Sequence, residues 1–178
     1  MARGDLTSFS YVVLVLVGRG GASAHDIVRM MRRGRLYWSA ADSHYYAEPK
    51  RLERLGYLTS ETAPGRTTDR RVYRLTTAGE EAVAGWLAEP TPAPRIQNEA
   101  IVRLLGGDLG DEQAVLASLL AMRAELDTIE GLLAEGRATM PELPHRARAL
   151  DLVHRLGEDT VELYRSWLDD VERELGGG

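Results

Sequence analysis

The 178-residue sequence contains no cysteine, which excludes disulfide bonds and thiolate chemistry and fits a reducing compartment. Long apolar runs are missing too. The longest, Tyr11 to Val17, has seven residues, far fewer than the roughly 20 that a helix needs to span a bilayer. The N-terminus lacks the apolar segment and cleavage site of a signal peptide in the right order. We therefore expect a cytoplasmic protein.

Histidine is scarce as well, with four residues in the chain, and no two of them share a helix at metal-ligand spacing. The sequence has no nucleophile elbow, and no Lys-Ser/Thr pair follows the glycine-rich segment 18–21, which is interpreted as a turn. Acidic residues are abundant in the second half, where they follow the outer faces of amphipathic helices. The sequence therefore predicts that the protein is not an enzyme and uses neither a metal nor a cofactor.

The net charge is −5, but the charges are unevenly distributed. Residues 1–95 carry 14 basic and 10 acidic side chains, whereas residues 96–178 carry 8 basic and 17 acidic ones. Residues 27–74 alone hold 11 basic and 5 acidic side chains. This asymmetry favours a first half that binds a polyanion, although a chance fluctuation of solvated charges gives the same counts.

A proline-rich segment divides the chain. Three prolines stand among residues 90–94, which disfavours a helix and favours extended backbone. Short, mixed segments precede it and long helical segments follow it. We predict two domains, at residues 1–89 and 96–178, joined by a linker at 90–95. The predicted fold is mainly α with a small β-hairpin.

The first domain is predicted to contain four helices and one hairpin. Residues 10–17 favour a helix, although their apolar character also fits a buried strand. Gly56 is expected to end the third helix in the left-handed conformation. The predicted helices lie at 10–17, at 24–33, at 41–55 and from Thr76 or Thr77 to Leu87, and the predicted strands lie at 57–62 and 71–75 around Pro64-Gly65. Ser23 is expected to be the N-cap of the second helix and Gly34 to end it. In the fourth helix, Glu80 is expected to complete a capping box with Thr77.

The second domain is predicted to be a long antiparallel helical hairpin after a short helix at 98–105. The hairpin helices are expected at about 111–136 and 146–175, because apolar residues recur there at alternating spacings of three and four. These two helices have more apolar surface than one chain can bury, so a second copy is the natural partner. Packing onto the first domain is the alternative. The spaced residues are Val115, Leu119, Met122, Leu126, Ile129 and Leu133, and Val161, Tyr164, Leu168, Val171 and Leu175.

The third helix of the first domain has one polar and basic face, which suits DNA. On a helical wheel, Tyr45 and Leu52 face one side, and the polar and basic residues face the other. The N-terminal half of such a helix reaches base edges and the C-terminal half meets phosphates. A solvated helix face is the alternative. We assign base readout or close approach to Ser43, His44 and Ala47, and backbone contacts to Tyr46, Lys50, Arg51 and Arg54.

The hairpin that follows carries arginines at or beside its tip, as does the wing of a winged helix-turn-helix. An arginine on a protruding loop can enter a narrow minor groove, where the negative potential is strongest. An ordinary soluble hairpin with charge at its tip is the alternative. The residues assigned to DNA here are Arg66, Thr67, Thr68, Arg70 and Arg71.

Two motifs and the helical hairpin behind them resemble the PadR family of transcriptional regulators. The motifs are Tyr-x-x-Φ-x-x-Leu-Glu-x-x-Gly at 46–56 and Tyr-x-Leu-Thr-x-x-Gly at 73–79. The resemblance covers about residues 10–175 and implies a homodimer, DNA binding through a winged helix, and repression relieved by a small molecule, whose identity does not carry over. Pro49 stands at the Φ position, where leucine is usual, and predicts a kink in the third helix.

Four residues are candidates for binding an effector. In the last helix, a polar and a small residue interrupt the apolar seam, and two tryptophans offer flat apolar surfaces to an aromatic compound. Exposure, close helix approach and ordinary core packing are the alternatives. The candidates are Trp86, His154, Gly157 and Trp167.

Together these patterns predict a DNA-binding transcriptional regulator that acts as a homodimeric, ligand-responsive repressor on a palindromic site in double-stranded DNA. The alternative is a protein-interaction module, in which the winged domain docks a protein and the helical arm mediates assembly. The two interpretations differ in salt dependence, because binding to DNA through several arginines weakens steeply as the salt concentration rises.

Overall fold

A computed structural model describes residues 5–38, 40–64 and 69–177. The chain forms two compact units, the first ending at Pro92 and the second beginning at Ala93. The first unit is a winged helix-turn-helix and the second is helical, so the predicted fold class is confirmed. No helix in the described ranges is long and apolar enough to cross a membrane.

The first unit places a three-stranded antiparallel sheet among four helices. The strand order is β1-β3-β2, with Ser60 of β2 opposite Tyr73 of β3. The two-residue strand β1 was not predicted from the sequence, because its pairing with β3 is a long-range contact. The elements are α1 (Ser8–Val17), β1 (Ala22–Ser23), α2 (Ala24–Arg33), α3 (Asp42–Arg54), β2 (Leu58–Ala63), β3 (Arg70–Leu75) and α4 (Thr77–Leu87).

The apolar run at the start of the chain is a helix, so the strand alternative is wrong. The Thr7 side chain accepts a hydrogen bond from the Ser10 amide, and the Ser10 side chain accepts one from the Thr7 amide. This capping box fixes the start of α1. Gly18 ends the helix, and Val13, Leu14 and Val17 are buried in the core of the first unit.

The helix-turn-helix begins and ends where the sequence predicts. Ser23 caps α2 in a capping box with Asp26, and Gly34 ends that helix. Gly56, at φ +83°, follows α3. There the Tyr57 amide donates to the Leu52 carbonyl at 3.0 Å and closes a Schellman motif, which satisfies carbonyls at the helix end. The described α3 is continuous across the buried Pro49, and the kink stays a prediction.

The start of α4 corrects one prediction. Thr76 is the N-cap and accepts from the Gly79 amide at 3.1 Å, so Thr77 and Glu80 form no capping box. Thr76 also donates to the Gly56 carbonyl at 2.7 Å, a contact that selects this threonine over its neighbour. A side chain at Gly79 would collide with the Tyr57 carbonyl, which explains a glycine at this motif position.

The second unit corrects a prediction about a helix. The helix predicted over 111–136 is two helices with a one-residue break at Ala121, whose amide still donates to the Ala117 carbonyl at 3.1 Å. Ala121 keeps helical angles, φ −58° and ψ −20°, so the interruption is local and the spacing of apolar residues does not reveal it. The elements are α5 (Glu99–Leu105), α6 (Glu112–Leu120), α7 (Met122–Ala138) and α8 (Ala147–Leu175), with 3-10 turns at Gly107–Leu109, Met140–Glu142 and Pro144–Arg146.

Helices α7 and α8 run antiparallel, as predicted. Arg123, near the start of α7, pairs with Asp169 late in α8, whereas Arg137, at the other end of α7, pairs with Asp151. The predicted apolar seam lies between the helices of this one chain. Its buried members are Leu119, Leu126 and Leu133 on one side and Val161, Leu168 and Val171 on the other.

Candidate nucleic-acid interface

The two faces of α3 differ as the helical wheel predicts. Tyr45, Pro49 and Leu52 are buried against the core and hold the helix in place. The opposite face is exposed and borders an open groove between α3 and the β2–β3 hairpin. The groove is lined by Ser43, Tyr46, Ala47, Lys50, Glu53, Arg54 and Arg71.

Two basic residues of α3 present their charge to this groove. In the described part of the chain, neither Lys50 nor Arg54 forms an ion pair. Both side chains are exposed and lie in the C-terminal half of the helix, which is the half that meets phosphates in helix-turn-helix proteins. A duplex placed in this groove would therefore meet positive charge that no carboxylate neutralises.

Arg51 does not line the groove. It follows Lys50 by one residue and therefore lies about 100° further around the helix. Its guanidinium donates to both Glu48 carboxylate oxygens, at 2.7 and 2.9 Å, to Ser10 Oγ at 2.9 Å and to the Asp5 carbonyl at 2.9 Å. Ser10 and Arg51 hold the pKa of Glu48 below its ordinary value, against the effect of burial. Arg51 thus joins α3 to α1, and this placement does not support its assignment to the DNA backbone.

His44 is exposed at the edge of the outer face, with its ring 6.2 Å from that of Phe9 in an edge-on arrangement. Ser43 and Ala47 are exposed beside it in the N-terminal half of α3. The three residues assigned to base readout therefore share one exposed end of the helix.

The two described arginines at the base of the wing are both held by carboxylates. Arg71 donates to the Glu53 carboxylate at 2.7 Å and to Ser60 Oγ at 2.6 Å, and its guanidinium lies 5.7 Å from the Tyr73 ring centroid. Arg70 donates to Asp26 of α2 at 3.4 Å. The other residues assigned to the wing, Arg66, Thr67 and Thr68, lie outside the described residues.

Sequence reasoning missed Glu53 and Asp26, which fasten the wing to both helices of the helix-turn-helix. The hydrogen bond from Ser60, together with Arg71, holds the pKa of Glu53 below its ordinary value, against some burial. A signal was present, because Glu53 is the glutamate of the first motif. Its partner was not evident, since Arg71 is far away in the sequence.

The effector candidates are divided between the two units, with Trp86 in the first and the other three in the second. Trp86 stacks on Tyr11 in the first unit, with ring centroids 4.8 Å apart. In the second unit, Trp167 contacts Tyr164 edge-on, and it is separated from His154 by about 20 Å along α8 at 1.5 Å per residue. Within the second unit, Trp167 and His154 are therefore too far apart to contact one small molecule.

His154 is buried, and Gly157 is buried one turn further along α8. The His154 ring packs over Gly136 of α7, where a side chain would come within 2.6 Å of Nε2, and its Nδ1 has no hydrogen-bond partner in the described structure. Burial lowers the pKa of His154, and Arg137 adds to the effect. Among the described residues, no group of three histidines or carboxylates is arranged to hold a metal ion.

Relatives of the chain span nearly its full length. A probable transcriptional regulator of Mycobacterium tuberculosis is 28% identical and covers 93% of this chain and 96% of its own length. The negative transcriptional regulator PadR of Bacillus subtilis is 26% identical and covers 90% of this chain and 93% of its own length. No family model matches the sequence.

Solved structures share the fold. Bacillus subtilis PadR in complex with operator DNA superposes with a TM-score of 0.72 at 21% identity and covers 95% of this chain and 99% of that one. The complex of the same protein with p-coumaric acid superposes with a TM-score of 0.67 at 21% identity and covers 94% of this chain and 98% of that one. A PadR-like regulator of Bacillus cereus superposes with a TM-score of 0.76 at 14% identity and covers 99% of this chain and 98% of that one.

A winged helix-turn-helix with an exposed, partly basic third helix and a C-terminal helical unit defines a class of DNA-binding transcriptional regulators. Within that class, the similarities in sequence and fold are to PadR and its relatives. The resemblance seen in the sequence is therefore confirmed: over nearly its full length the chain is similar to PadR-type transcriptional regulators. The class is non-enzymatic, in agreement with the sequence prediction.

Proposed function

We propose that the protein is a homodimeric repressor that binds a palindromic operator through α3 and the β2–β3 hairpin, and that a small molecule relieves this binding. The observation that carries the proposal is the groove beside α3, where Lys50 and Arg54 are exposed without an ion pair in the described structure. A similar protein, Bacillus subtilis PadR, has been solved with operator DNA and carries the name of a negative regulator.

In this proposal the first domain, residues 1–89, binds DNA, and the second, residues 96–178, mediates dimerisation and senses the effector. Ser43, His44 and Ala47 approach base edges, while Tyr46, Lys50 and Arg54 and the wing residues Arg66, Thr67, Thr68 and Arg70 contact the backbone. Two copies of α3 would enter successive major grooves, about 34–36 Å apart. Such a protein works where the DNA is, which supports the expected cytoplasmic location.

The proposed dimer is supported by apolar surface that one chain leaves exposed. On α8, Leu152, Leu156 and Leu163 lie on one face at spacings of four and seven residues, and they are 54%, 58% and 67% exposed. An exposed apolar stripe of this kind marks an interaction surface more often than a solvated one. A two-fold pairing covers the same stripe on both copies.

The effector is proposed from a neighbour, the PadR structure with p-coumaric acid. An effector acts only if it binds one arrangement of the dimer more tightly than another. The test is release of DNA by a panel of aromatic carboxylic acids, read by fluorescence anisotropy. Release by none of them would remove the aromatic-effector part of the proposal.

The main experiment measures DNA affinity as a function of salt. The full-length protein selects duplexes from a random-sequence pool, and its affinity for a selected duplex and for a scrambled one is then measured between 50 and 200 mM salt. We expect a palindromic preference and a steep loss of affinity for both duplexes with salt, of about one power of ten or more. Failure to bind any duplex at low salt would refute the proposal and favour the interaction-module alternative.

A further inference from the structure

Glu53 is the one acidic residue among those that line the groove beside α3 in the described structure, and three hydrogen bonds tie it to the wing. Its carboxylate accepts two bonds from Arg71 Nη2, at 2.7 and 2.9 Å, and one from Ser60 Oγ at 2.6 Å. Ser60 in turn accepts from Arg71 Nε at 2.6 Å. The three side chains form a closed triangle that joins α3, β2 and β3.

This triangle places Arg71 in the groove but neutralises it. Glu53 lies 2.7 Å from the Arg71 guanidinium, well within the about 8 Å over which charges interact at physiological salt, so a phosphate in the groove meets the two opposite charges together. A phosphate in the groove therefore meets Lys50 and Arg54 as free cations but meets Arg71 as half of a neutral pair.

We propose that Glu53 is a positioning residue for DNA binding: it holds Arg71 against α3 and withholds the charge of Arg71 from duplexes of arbitrary sequence. The inference rests on the proposed function. Non-specific binding depends almost entirely on phosphate contacts, so neutralising one cation weakens it most. A specific complex depends in addition on the fixed geometry of α3 and the wing, which the same contacts maintain. Glu53 thereby raises the ratio of specific to non-specific affinity.

The test compares Glu53→Gln with a matched control on the same hairpin. Glu61 of β2 pairs with Arg74 of β3 at 2.7 Å, and both side chains are about half exposed. Ser60 and Thr62 lie opposite Tyr73 and Arg71 in the β ladder, so residues 61 and 74 lie on the other face of the hairpin and do not line the groove. Glu61→Gln therefore removes the same charge from an equivalent pair outside the groove.

We expect Glu53→Gln to bind a scrambled duplex about three to ten times more tightly than Glu61→Gln at 50 mM salt, with a salt slope steeper by about 0.9, the contribution of one added phosphate contact. The preference for the selected duplex over the scrambled one should fall. In an Arg71→Gln background these effects of Glu53→Gln should disappear, because no cation remains to be released.

Ser60→Ala offers a second test that changes no charge. It removes the hydroxyl shared by Glu53 and Arg71, and it should shift affinity and preference in the same direction as Glu53→Gln, by a smaller factor. Thermal unfolding of each variant shows whether it is folded. This variant keeps the inference testable if Glu53→Gln fails to fold.

Three results would overturn the inference. Equal behaviour of Glu53→Gln and Glu61→Gln would show that position in the groove is irrelevant. Weaker binding of Glu53→Gln to both duplexes, with an unchanged salt slope, would assign Glu53 a purely structural role. An equal gain in the Arg71→Gln background would trace the effect to the lost carboxylate alone. If the unmodified protein binds no duplex, the proposed function itself fails, whereas the three results above leave it standing.

Discussion

The outer face of α3 and one face of α8 are both exposed in the described structure, but their chemistry differs. The α3 face presents Lys50 and Arg54 beside small and hydroxyl-bearing residues, whereas the α8 face presents Leu152, Leu156 and Leu163. A polyanion suits the first face and an apolar surface suits the second. The difference agrees with the proposal that each unit carries its own interaction surface, one for DNA and one for a second copy.

The largest effect is expected from charging the α8 face. Leu156→Glu together with Leu163→Glu would place two carboxylates in the proposed dimer interface, where desolvation penalises them. We expect a monomer in analytical ultracentrifugation. Affinity for the selected duplex should fall about 100-fold or more, because two linked sites bind far more tightly than one. Ser118→Glu with Thr128→Glu adds the same charge at exposed positions of α6 and α7 and should leave a dimer. If the variant with both leucines replaced remained a dimer, the α8 face would not be the dimer interface.

Removing the cations from the α3 face should have the next largest effect. Lys50→Ala with Arg54→Ala should weaken binding to selected and scrambled duplexes by about ten- to 100-fold at low salt. The salt slope should become shallower by about 1.8, the value for two phosphate contacts. The matched control is Arg103→Ala with Arg173→Ala, which removes two exposed cations from the second unit. An equal loss in the control would show that net charge, rather than the α3 face, governs binding.

Two helical glycines, one in each unit, should respond differently to replacement by alanine. A side chain at Gly79 would collide with the Tyr57 carbonyl, whereas one at Gly131, within α7, would meet nothing within 4 Å. Gly79→Ala should lower the free energy of unfolding by about 1–3 kcal/mol. Gly131→Ala should raise it by about 1 kcal/mol, because alanine favours a helix. Chemical denaturation measures both, and a neutral Gly79→Ala would show that the contact relaxes freely.

The smallest effect is a pH dependence confined to the second unit. Burial, with a further contribution from Arg137, lowers the pKa of His154 below the ordinary 6.5. As the pH falls through 6.5 the unfolded chain takes up a proton before the folded one, so stability present above that pH is lost below it. Of the nearby groups, Glu158 and Asp151 oppose this shift.

Thermal unfolding of the wild type and of His154→Leu between about pH 7.5 and pH 5.5 checks this, in the range where histidine titrates. The variant should lose less stability on acidification than the wild type. The control is His145→Leu, at an exposed position, which should keep the wild-type dependence. If both variants keep it, His154 is not the responsible group.

Local signals in the sequence predicted most of the first unit. The N-cap at Ser23, the stop at Gly34 and the left-handed Gly56 each depend on residues within one helical turn, so their spacing is sufficient. Errors arose where two local solutions were equivalent. Thr76 and Thr77 both fit an N-cap, and the contact of Thr76 with the Gly56 carbonyl decides between them.

The candidate interface was predictable only in part. Helical periodicity was enough to separate the buried Tyr45 and Leu52 from the exposed Ser43 and Ala47 on α3. Periodicity assigns a side chain to a face but does not assign it a partner.

By itself, then, the sequence determined the helices and strands, their caps and the polar face of α3, because these depend on neighbours along the chain. Tertiary structure decided which arginines are held by groups from other elements of the fold. Arg51 pairs with Glu48 one turn away on α3, but its contact with Ser10 of α1, like the carboxylate partner of Arg71, depends on how the elements pack. For Arg71 that carboxylate is Glu53, at 2.7 Å and 18 residues away in the sequence.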